Sequence, residues 1–378
     1  MKIVLSGVET NNKGAELMLY AILQEIERKW PEAEVYISRS MVLQGLDYVK
    51  TSLKLHFFPI EWLVEKTHIN GFLRRMKLPL ISGCNFVRGD YFFDGSGFLF
   101  SDHCKLWGTT PEWWESILKH QHRHGAKIVM LPQAFGPFET KLTQQALKVL
   151  NRYATIIMPR ETVSYNYIKE SGLVNMNKVH TFTDFTSLVE GKFPSQYEHL
   201  KGGICIIPNL RMTDKGGMSY DGYIRFLSAI AEEGKKSGYP VYLLNHEGPK
   251  DEKLCLRCRE SLGDLVEAVT NLNGIEVKGL IASAHVVITS RFHGLASSLN
   301  SGVPSLATSW SHKYEELLKD YGLDGSYVLP LDNIKGALDK VKGLMVRKEN
   351  MRVRQIIESK VPENKKQTRK MWDLIWNL

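Results

Sequence analysis

The feature that most constrains the fold of this chain is a strand–helix–strand pattern in residues 284–323. Residues 285–289 are mostly β-branched, which is typical of a strand buried on both faces of a parallel sheet. Apolar residues at helical spacing follow Gly294 directly, and Gly302 and Pro304 end that helix before a second short apolar run. The pattern therefore predicts an α/β sheet in which a strand leads straight into a helix N-terminus.

Arg291, His293 and Gly294 lie together between this predicted strand and helix. In open α/β sheets, ligands bind beyond the carboxyl ends of the strands, where a helix N-terminus favours an anion. An arginine and a histidine at this position could bind a phosphate or a carboxylate through charge-assisted hydrogen bonds. A second interpretation stays open, in which Arg291 pairs with a neighbouring carboxylate and His293 is a hydrogen-bonded core histidine.

Strand and helix patterns alternate along most of the chain, whose 378 residues are many for a single hydrophobic core. We predict two Rossmann-like, doubly wound α/β domains that face each other across a cleft, at residues 1–192 and 200–345. The polar residues 191–203 are predicted to link them. Two tryptophans near the C-terminus lie four residues apart on one helical face, so residues 360–378 are expected to pack back onto the N-terminal domain.

Some segments depart from the simple alternation. Further strands are predicted at residues 179–183 and 275–277. Residues 53–80 mix bulky apolar side chains with basic ones such as Arg74 and Arg75. One interpretation of this segment is an irregular loop and helix that cover the sheet. The other is a peripheral membrane contact, with aromatic rings in the headgroup layer and the arginines on anionic lipid.

Composition narrows the choice of partners. The net charge of +8 is compatible with a nucleic acid, an anionic small substrate or an acidic membrane surface. Nucleic acid ranks last, because the basic residues are scattered and the chain has no recognised nucleic-acid-binding motif.

The five cysteines fit neither a disulfide framework nor a zinc spacing, so no metal is expected. No apolar run is long enough to cross a bilayer, and no signal peptide precedes the first predicted strand, so a cytoplasmic protein is expected.

Polar residues follow several other predicted strands. Asn12 and Gly14 lie in the loop after the first strand, which lacks the GxGxxG pattern of a dinucleotide site. Asp94 ends an aromatic strand just before two glycines, and it is either a turn residue or a catalytic carboxylate. Arg160 stands where a strand ends and a helix begins, and Arg211 also follows a strand. Loops at this edge of such sheets commonly face an active site.

These motifs resemble, in the same order, those of the polysaccharide pyruvyl transferase family, and the resemblance covers nearly the whole chain. The matching blocks are Asn12-x-Gly14-Ala15-Glu16, Asp94-Gly95-Ser96-Gly97, Gln133-x-x-Gly136-Pro137, Arg160-Glu161-x-x-Ser164, Arg211, Arg291-Phe292-His293-Gly294, Gly302-Val303-Pro304 and Lys313. The block at Arg291 is the most specific. Two blocks depart from the family pattern, because the glycine run after Asp94 is short and the residues before Arg211 are unusual.

The resemblance implies a GT-B-like fold and an enzyme that uses phosphoenolpyruvate as co-substrate, with no other cofactor. Such an enzyme transfers pyruvate to two hydroxyls of one sugar in a surface or capsular polysaccharide precursor, forms a cyclic ketal and releases phosphate. The N-terminal domain would hold the acceptor, free or lipid-linked, and the C-terminal domain would hold the donor phosphate. By analogy the acceptor sugar is a galactose, and a peripheral contact with the inner membrane face fits a lipid-linked acceptor.

The resemblance also implies roles for individual residues. Arg211 and His293 would bind the donor phosphate, and His293 could give a proton to that phosphate as it leaves. The donor-binding set is Arg211, Arg291, His293, Gly294, Leu295 and Lys313. The acceptor-binding set is Asn12, Gly14, Ser96, Gln133 and Arg160. The catalytic candidates are His293, Asp94 and Glu16, with Asp184 also eligible and Asp94 ranked first among the carboxylates.

Two other functions stay open. A GT-B glycosyltransferase would bind the diphosphate of a nucleotide-sugar at the same helix N-terminus, and a carboxylate would bind its ribose. A non-catalytic saccharide-binding protein would release no phosphate with any acceptor and would tolerate His293→Ala.

Overall fold

The structure, a computed structural model, describes residues 1–38, 51–58, 83–214, 216–308 and 313–378. The chain divides into two compact units. Unit 1 comprises Met1–Asn11, Met18–Phe185 and Lys370–Leu378, and unit 2 comprises Asn12–Leu17 and Thr186–Arg369. Each unit contains one parallel sheet with helices, so the predicted α/β class with two Rossmann-like units is confirmed.

The described residues of unit 1 form a six-stranded parallel sheet. Its strands are β1 (Lys2–Ser6), β2 (Glu34–Ser38), β3 (Lys54–Phe58), β4 (Tyr91–Asp94), β5 (Lys127–Gln133) and β6 (Ile156–Pro159). Their order is β3-β2-β1-β4-β5-β6, which reverses between β1 and β4 as in a doubly wound fold. Its helices are α1 (Lys13–Lys29), whose first turn belongs to unit 2, α2 (Pro111–Arg123), α3 (Lys141–Tyr153) and α4 (Thr162–Ser171).

Unit 2 has a five-stranded parallel sheet. Its strands are β7 (Ile204–Ile207), β8 (Val241–Leu244), β9 (Glu267–Val269), β10 (Val286–Thr289) and β11 (Ser305–Ala307), in the order β11-β10-β7-β8-β9. Its helices are α5 (Arg211–Asp214), α6 (Tyr220–Lys236), α7 (Gly248–Leu262), α8 (Gly274–Ala282), α9 (Phe292–Asn300), α10 (Lys313–Asp320), α11 (Ile334–Met345) and α12 (Arg347–Trp376), whose last turns belong to unit 1. The strand order reverses between β7 and β10.

The strands are buried because helices cover the sheets, which explains why their sequences are nearly continuous apolar runs. Every residue of β4, β7, β8 and β10 is buried. The helices present amphipathic faces to these strands, and polar caps begin several of them. Thr110, for example, accepts a hydrogen bond from the Trp113 amide at 3.2 Å at the start of α2. Strands of both sheets therefore lead into helices whose N-termini are ordered.

Two predicted strands are wrong. Residues 275–277 belong to α8, because Asn273 and Glu276 form a capping box that starts a helix there. The strand in this region is β9, which precedes the capping box. Residues 179–183 form one isolated bridge, between Val179 and Ile157, and the His180 and Phe182 amides donate to the Ile157 and Pro159 carbonyls at 3.1 and 3.2 Å, but the segment does not form a regular strand.

The unit boundaries also differ from the predicted domains. Residues 191–203 are part of unit 2, because Gly191 packs against the Gly279 backbone and the Lys192 amide donates to the Ile275 carbonyl at 3.0 Å. In unit 1, Trp372 and Trp376 stack with their ring centroids 5.2 Å apart. The earlier residues 360–369 group with unit 2.

The segment of residues 53–80 is described only in part. Lys54–Phe58 forms β3, a parallel edge strand beside β2, where the sequence predicted irregular structure. Arg74 and Arg75, which carry the membrane-contact hypothesis, lie outside the described residues. Across the parts of the chain that the structure describes, no helix has the length and apolar composition that a bilayer crossing needs.

Candidate active site

The predicted motif around His293 lies at the carboxyl end of β10 in unit 2. Arg291 is the N-cap residue of α9, and His293 is half-buried in the first turn of that helix. A Cβ atom at Gly294 would lie 2.6 Å from Thr289 Oγ1 and 2.9 Å from Ile207 Cδ1. Only glycine lets α9 pack this closely against β7 and β10, so Gly294 acts by holding the first turn of α9 at the strand ends.

Gly14 lies directly against the His293 imidazole. A Cβ atom at Gly14 would be 2.2 Å from His293 Nδ1 and 2.4 Å from Cγ, far inside van der Waals contact. Asn12 caps α1, because its Oδ1 accepts a hydrogen bond from the Gly14 amide at 2.9 Å. The Lys13 amide donates to the His246 carbonyl at 3.0 Å, which attaches this turn to the loop after β8. The first motif of the chain therefore belongs to the same site as His293.

Glu16 is completely buried in the first turn of α1. Its carboxylate lies 2.9 Å from the Lys13 ammonium, whose side chain is about one-fifth exposed at 19%. Pairing with Lys13 compensates for the burial of this carboxylate. The Glu16 side chain also lies against the start of α8, where a Cβ atom added at Gly274 would be 3.3 Å from Glu16 Cδ.

Arg291 is held by two carboxylates. Its Nε donates to Asp251 Oδ2 at 2.8 Å, Nη2 contacts the same oxygen, and Nη1 contacts Glu247 Oε2. This is the carboxylate pairing that the sequence left open as the second interpretation of Arg291. Asp251 also accepts a hydrogen bond from the Leu210 amide at 3.1 Å. Arg291 and Asp251 therefore connect α7 to the loop that precedes Arg211, and most of the charge of Arg291 is already balanced.

Arg211 is more available than Arg291. It is the first residue of α5, and its side chain is 59% exposed in a surface pair with Asp214, with Nη1 and Oδ2 2.7 Å apart. Exposed pairs of this kind contribute at most about 1 kcal/mol, so they bind the guanidinium only weakly. The Arg211 amide donates to Asn209 Oδ1 at 2.9 Å, which fixes its backbone.

A buried hydroxyl network, which the sequence did not predict, fixes the end of β10. The Tyr223 hydroxyl lies 2.6 Å from Ser290 Oγ, which also contacts the Thr308 hydroxyl. Tyr314 Oη and Asn209 Nδ2 donate to the Ser290 carbonyl at 2.9 and 3.0 Å. Burial raises the pKa of Tyr223, so its hydroxyl keeps its proton. The network holds the backbone that leads into Arg291 and α9.

Lys313 and Leu295 complete the predicted donor set. Lys313 begins α10, and its Nζ lies 5.7 Å from the centroids of the Phe292 and Tyr314 rings. Such a position stabilises the ammonium by cation–π attraction. Leu295 is completely buried, and its amide donates to the Arg291 carbonyl at 3.0 Å within the helix. Leu295 therefore packs α9 against the core, and neither its side chain nor its amide is placed to bind a ligand.

Asp94, Ser96 and Gln133 form a separate cluster at the strand ends of unit 1. Ser96 Oγ donates to Asp94 Oδ1 at 2.6 Å, and Gln133 Nε2 donates to Asp94 Oδ2 at 2.9 Å. Asp94 is completely buried, and burial raises its pKa to about 6 even though these hydrogen bonds oppose the shift. A Cβ atom at Gly7 would lie 2.1 Å from Ser96 Oγ, so glycine is needed at the end of β1. Asp94 thus bonds within its own turn through Ser96 and across to β5 through Gln133.

Arg160 adjoins this cluster through the backbone. Its amide donates to the Gln133 carbonyl at 3.0 Å, and the residue is almost completely buried at the end of β6. Glu161 caps α4 by accepting a hydrogen bond from the Ser164 amide at 3.3 Å. Of the predicted acceptor residues, Ser96, Gln133 and Arg160 thus belong to unit 1. Asn12 and Gly14 belong to unit 2 with His293, which differs from the predicted domain assignment.

Several site residues were absent from the sequence prediction. Asp251, Glu247 and His246 all lie in or beside the loop after β8, and Tyr223 and Ser290 belong to the hydroxyl network. The signal for His246 was its position directly after a predicted strand. No local pattern distinguishes Tyr223 or Asp251, because both lie in ordinary amphipathic helices. Among the residues that the structure describes, no group of three His, Cys, Asp or Glu side chains is arranged to hold a metal ion.

The fold is that of GT-B proteins. It resembles the glycosyltransferase WaaG, which is involved in lipopolysaccharide biosynthesis, with a TM-score of 0.58 and 12% identity over 99% of each chain. It also resembles the UDP-GlcNAc 2-epimerase from Neisseria meningitidis, with a TM-score of 0.62 and 11% identity over 100% of each chain. At these identities the likeness defines the fold alone.

Sequence comparison identifies the family. A model of the polysaccharide pyruvyl transferase family matches residues 12–312, and the chain belongs to this family. The amylovoran biosynthesis protein AmsJ of Erwinia amylovora is 22% identical in an alignment that covers 92% of this chain and 95% of AmsJ. The protein is thus a transferase of polysaccharide biosynthesis in which pyruvate is the transferred group.

Proposed function

We propose that the protein transfers the pyruvyl group of phosphoenolpyruvate to two hydroxyls of one sugar, forming a cyclic ketal and releasing phosphate. Family membership supports pyruvate transfer to a polysaccharide. The observation that supports the choice of donor is the set of basic side chains in unit 2: Arg211 is exposed at the start of α5, His293 lies in the first turn of α9 and Lys313 begins α10. The acceptor is a sugar of a surface polysaccharide precursor, free or lipid-linked.

The charge of phosphoenolpyruvate matches these residues. The molecule carries a phosphate and a carboxylate, so its site needs several cationic or hydrogen-bonding groups. Arg211, His293 and Lys313 are the proposed ligands. Arg291, which Asp251 and Glu247 already neutralise in part, acts mainly as a positioning residue for α9. Each charge-assisted hydrogen bond to the donor contributes roughly 1.5–3 kcal/mol.

The reaction balances with phosphoenolpyruvate and a diol alone. The enol carbon of the donor takes up a proton and becomes a methyl group. Two sugar oxygens form bonds to the neighbouring carbon, each losing its proton, while the bond from that carbon to the phosphate oxygen breaks. The cationic centre that develops at this carbon is stabilised by nearby negative charge, for which Glu16 is the candidate in unit 2.

Asp94 is the proposed acid–base residue. Its raised pKa of about 6 lets the carboxyl hold a proton near neutral pH and also release it, as a group that moves protons in both directions must. Ser96 and Gln133 orient both oxygens of this carboxyl. His293 is proposed to give a proton to the departing phosphate.

The test measures phosphate release from phosphoenolpyruvate with a panel of β-galactosides and related glycosides, together with product masses. We expect phosphate release and a product heavier by one dehydrated pyruvate. Arg211→Ala and His293→Ala should each reduce turnover by at least about 10- to 100-fold. The matched control is Arg257→Ala, because Arg257 is 60% exposed and forms a similar surface pair with Glu260.

A second measurement separates this proposal from the nucleotide-sugar alternative. Thermal unfolding is recorded with phosphoenolpyruvate and with uridine diphosphate at equal concentrations, because a ligand that binds the folded state raises the melting temperature. We expect stabilisation by phosphoenolpyruvate. Stabilisation by the nucleotide alone would contradict the proposal and favour a GT-B glycosyltransferase.

A further inference from the structure

His246 is a buried residue next to the proposed donor site. It lies two residues after β8 and is 1% exposed. Its carbonyl accepts the Lys13 amide hydrogen bond at 3.0 Å, and the following residue, Glu247, forms a β-bridge with Asn12. The backbone at His246 and Glu247 is therefore attached to the turn that carries Gly14.

The imidazole of His246 lacks the hydrogen bonds that a buried polar ring needs. Within the described ranges of the chain, neither Nδ1 nor Nε2 has a hydrogen bond to another residue. An unsatisfied buried polar group destabilises the folded state. Such groups are therefore rare in native proteins, and they are explained by a catalytic role or by a bound water, ion or other ligand. An apolar side chain at this position would avoid the penalty.

The surroundings of His246 indicate what kind of ligand would satisfy it. Burial lowers its pKa well below the usual value, and the charges of Arg291, His293 and Lys13 lower it further, while its own carbonyl raises it less. The ring is therefore neutral at physiological pH and carries one N–H donor and one acceptor. Arg291, His293 and Lys13 lie around it, and Asp251, Glu247 and Glu16 already pair with Arg291 and Lys13. What these basic side chains still offer a ligand is N–H donors, so a ligand that accepts hydrogen bonds, such as an anion, is the one they favour.

We propose that His246 is a further donor-site residue, whose neutral imidazole hydrogen-bonds an oxygen of the anionic group that binds beside His293. The identity of that anion, the phosphate or carboxylate of phosphoenolpyruvate, rests on the proposed function. A neutral donor adds a hydrogen bond without adding another buried positive charge to a site that already contains Arg291 and Lys13. His246 thereby extends the donor site from α9 to the loop after β8.

The test measures dissociation constants for inorganic phosphate and phosphoenolpyruvate by isothermal titration calorimetry, with the full chain and its variants. His246→Leu removes both ring nitrogens at similar volume and should weaken both anions by about 10- to 100-fold. Asparagine places an amide near Nδ1 and glutamine near Nε2, so one of His246→Asn and His246→Gln should retain affinity within about threefold. His285→Leu is the matched control, because His285 precedes β10 at the opposite end of the strand and stacks on Tyr239.

The outcomes separate this inference from the proposed reaction. If His246→Leu binds both anions as tightly as the wild type while His293→Ala does not, the inference is wrong and the proposed function is untouched. If phosphate binding depends on His246 but phosphoenolpyruvate does not bind, the inference stands and the proposed donor is wrong. A second measurement uses the wild-type protein, so it does not depend on whether a variant folds. The NMR signals of the His246 ring nitrogens should shift when phosphate is added. Unchanged signals would overturn the inference.

Discussion

The backbone of Gly14 lies against the imidazole of His293, so closely that a single added methyl group would overlap the ring. The two residues stand near opposite ends of the sequence, yet both belong to unit 2. Asn12 caps α1 at this turn. The first motif of the chain therefore sets the position of His293, the catalytic candidate in the motif at Arg291. The contact also explains why the first turn of α1 groups with unit 2.

Gly14→Ala should therefore impair the site more than the fold. The new Cβ atom would lie 2.2 Å from His293 Nδ1, so either the ring or the first turn of α1 must move. Displacements of about 1 Å at a catalytic group commonly reduce rates by about 100-fold. We expect a loss of kcat/KM of this order, measured by phosphate release from phosphoenolpyruvate.

The control for this variant is Gly343→Ala in α11, where an added Cβ atom would meet nothing within 4 Å. Gly343 is half-buried, and an added methyl group has space there. Alanine within a helix is more favourable than glycine by roughly 0.5–1 kcal/mol, so this variant should be equally or more stable and fully active. Equal activity of the two variants would show that His293 tolerates displacement and would contradict the assigned role.

Arg211 and Arg291 should respond differently to removal. Arg211→Ala deletes an exposed side chain and should change the free energy of unfolding by less than about 0.5–1 kcal/mol while it weakens donor turnover. Asp214→Ala removes the same surface pair but keeps the arginine, so it should retain activity. The free energies are measured by urea denaturation and the rates by phosphate release. An Arg211→Ala variant that unfolds readily would indicate a structural role instead.

Arg291→Met should destabilise the protein strongly, because it leaves Asp251 buried without its partner. Breaking one side of a buried ion pair typically costs about 3–5 kcal/mol. The double variant Arg291→Met with Asp251→Leu removes both charges and should recover much of this loss. A double-mutant cycle from urea denaturation gives the coupling free energy, and a value near zero would show that the pair does not act as a unit.

Much of the fold could be predicted from the sequence because buried parallel strands are nearly continuous apolar runs. Residues such as those of β4 and β10 are covered on both faces, so their composition identifies them. The same argument failed at residues 275–277, where three residues resemble a short strand but a capping box begins a helix. Local pattern alone is ambiguous over so short a segment.

The composition of the site was harder to predict, because its contacts join residues far apart in the chain. Searching for polar residues at strand ends drew attention to Arg291 and Asp94, which lie at the ends of β10 and β4 in the structure. The partner of Arg291 is Asp251 in a helix, and Ser290 is held by Tyr223 and Tyr314. These pairings depend on which helices cover which strands, and spacing within one segment carries no information about them.

The last prediction concerns the pH dependence that Asp94 imposes on stability. Its pKa rises from an ordinary value of 3.8 to about 6 on folding, because the buried carboxylate is penalised. The protonated carboxyl therefore contributes to the free energy of unfolding, and this stabilisation is fully present below about pH 4 and is lost as the pH rises through 6. Asp94→Asn has the same shape, can accept from Gln133 and can donate to Ser96 Oγ, so it avoids this loss. The free energy of unfolding of Asp94→Asn should exceed that of the wild type by up to about 3 kcal/mol at neutral pH, and the two should be equal near pH 4.

Asp102 provides a control of opposite sign in the same unit. Burial alone would raise the pKa of Asp102, but hydrogen bonds from Thr140 and Thr143 outweigh burial and lower it. Its stabilising contribution is therefore present above the unfolded pKa and lost as the pH falls, so Asp102→Asn should be less stable than the wild type at neutral pH. Urea denaturation between pH 4 and pH 8 gives the pH dependence of the free energy of unfolding for both variants.

Asp94→Asn should be folded yet inactive, because the asparagine amide cannot transfer a proton. A variant that is both stable and active would exclude Asp94 from the acid–base role and leave it as a structural carboxyl.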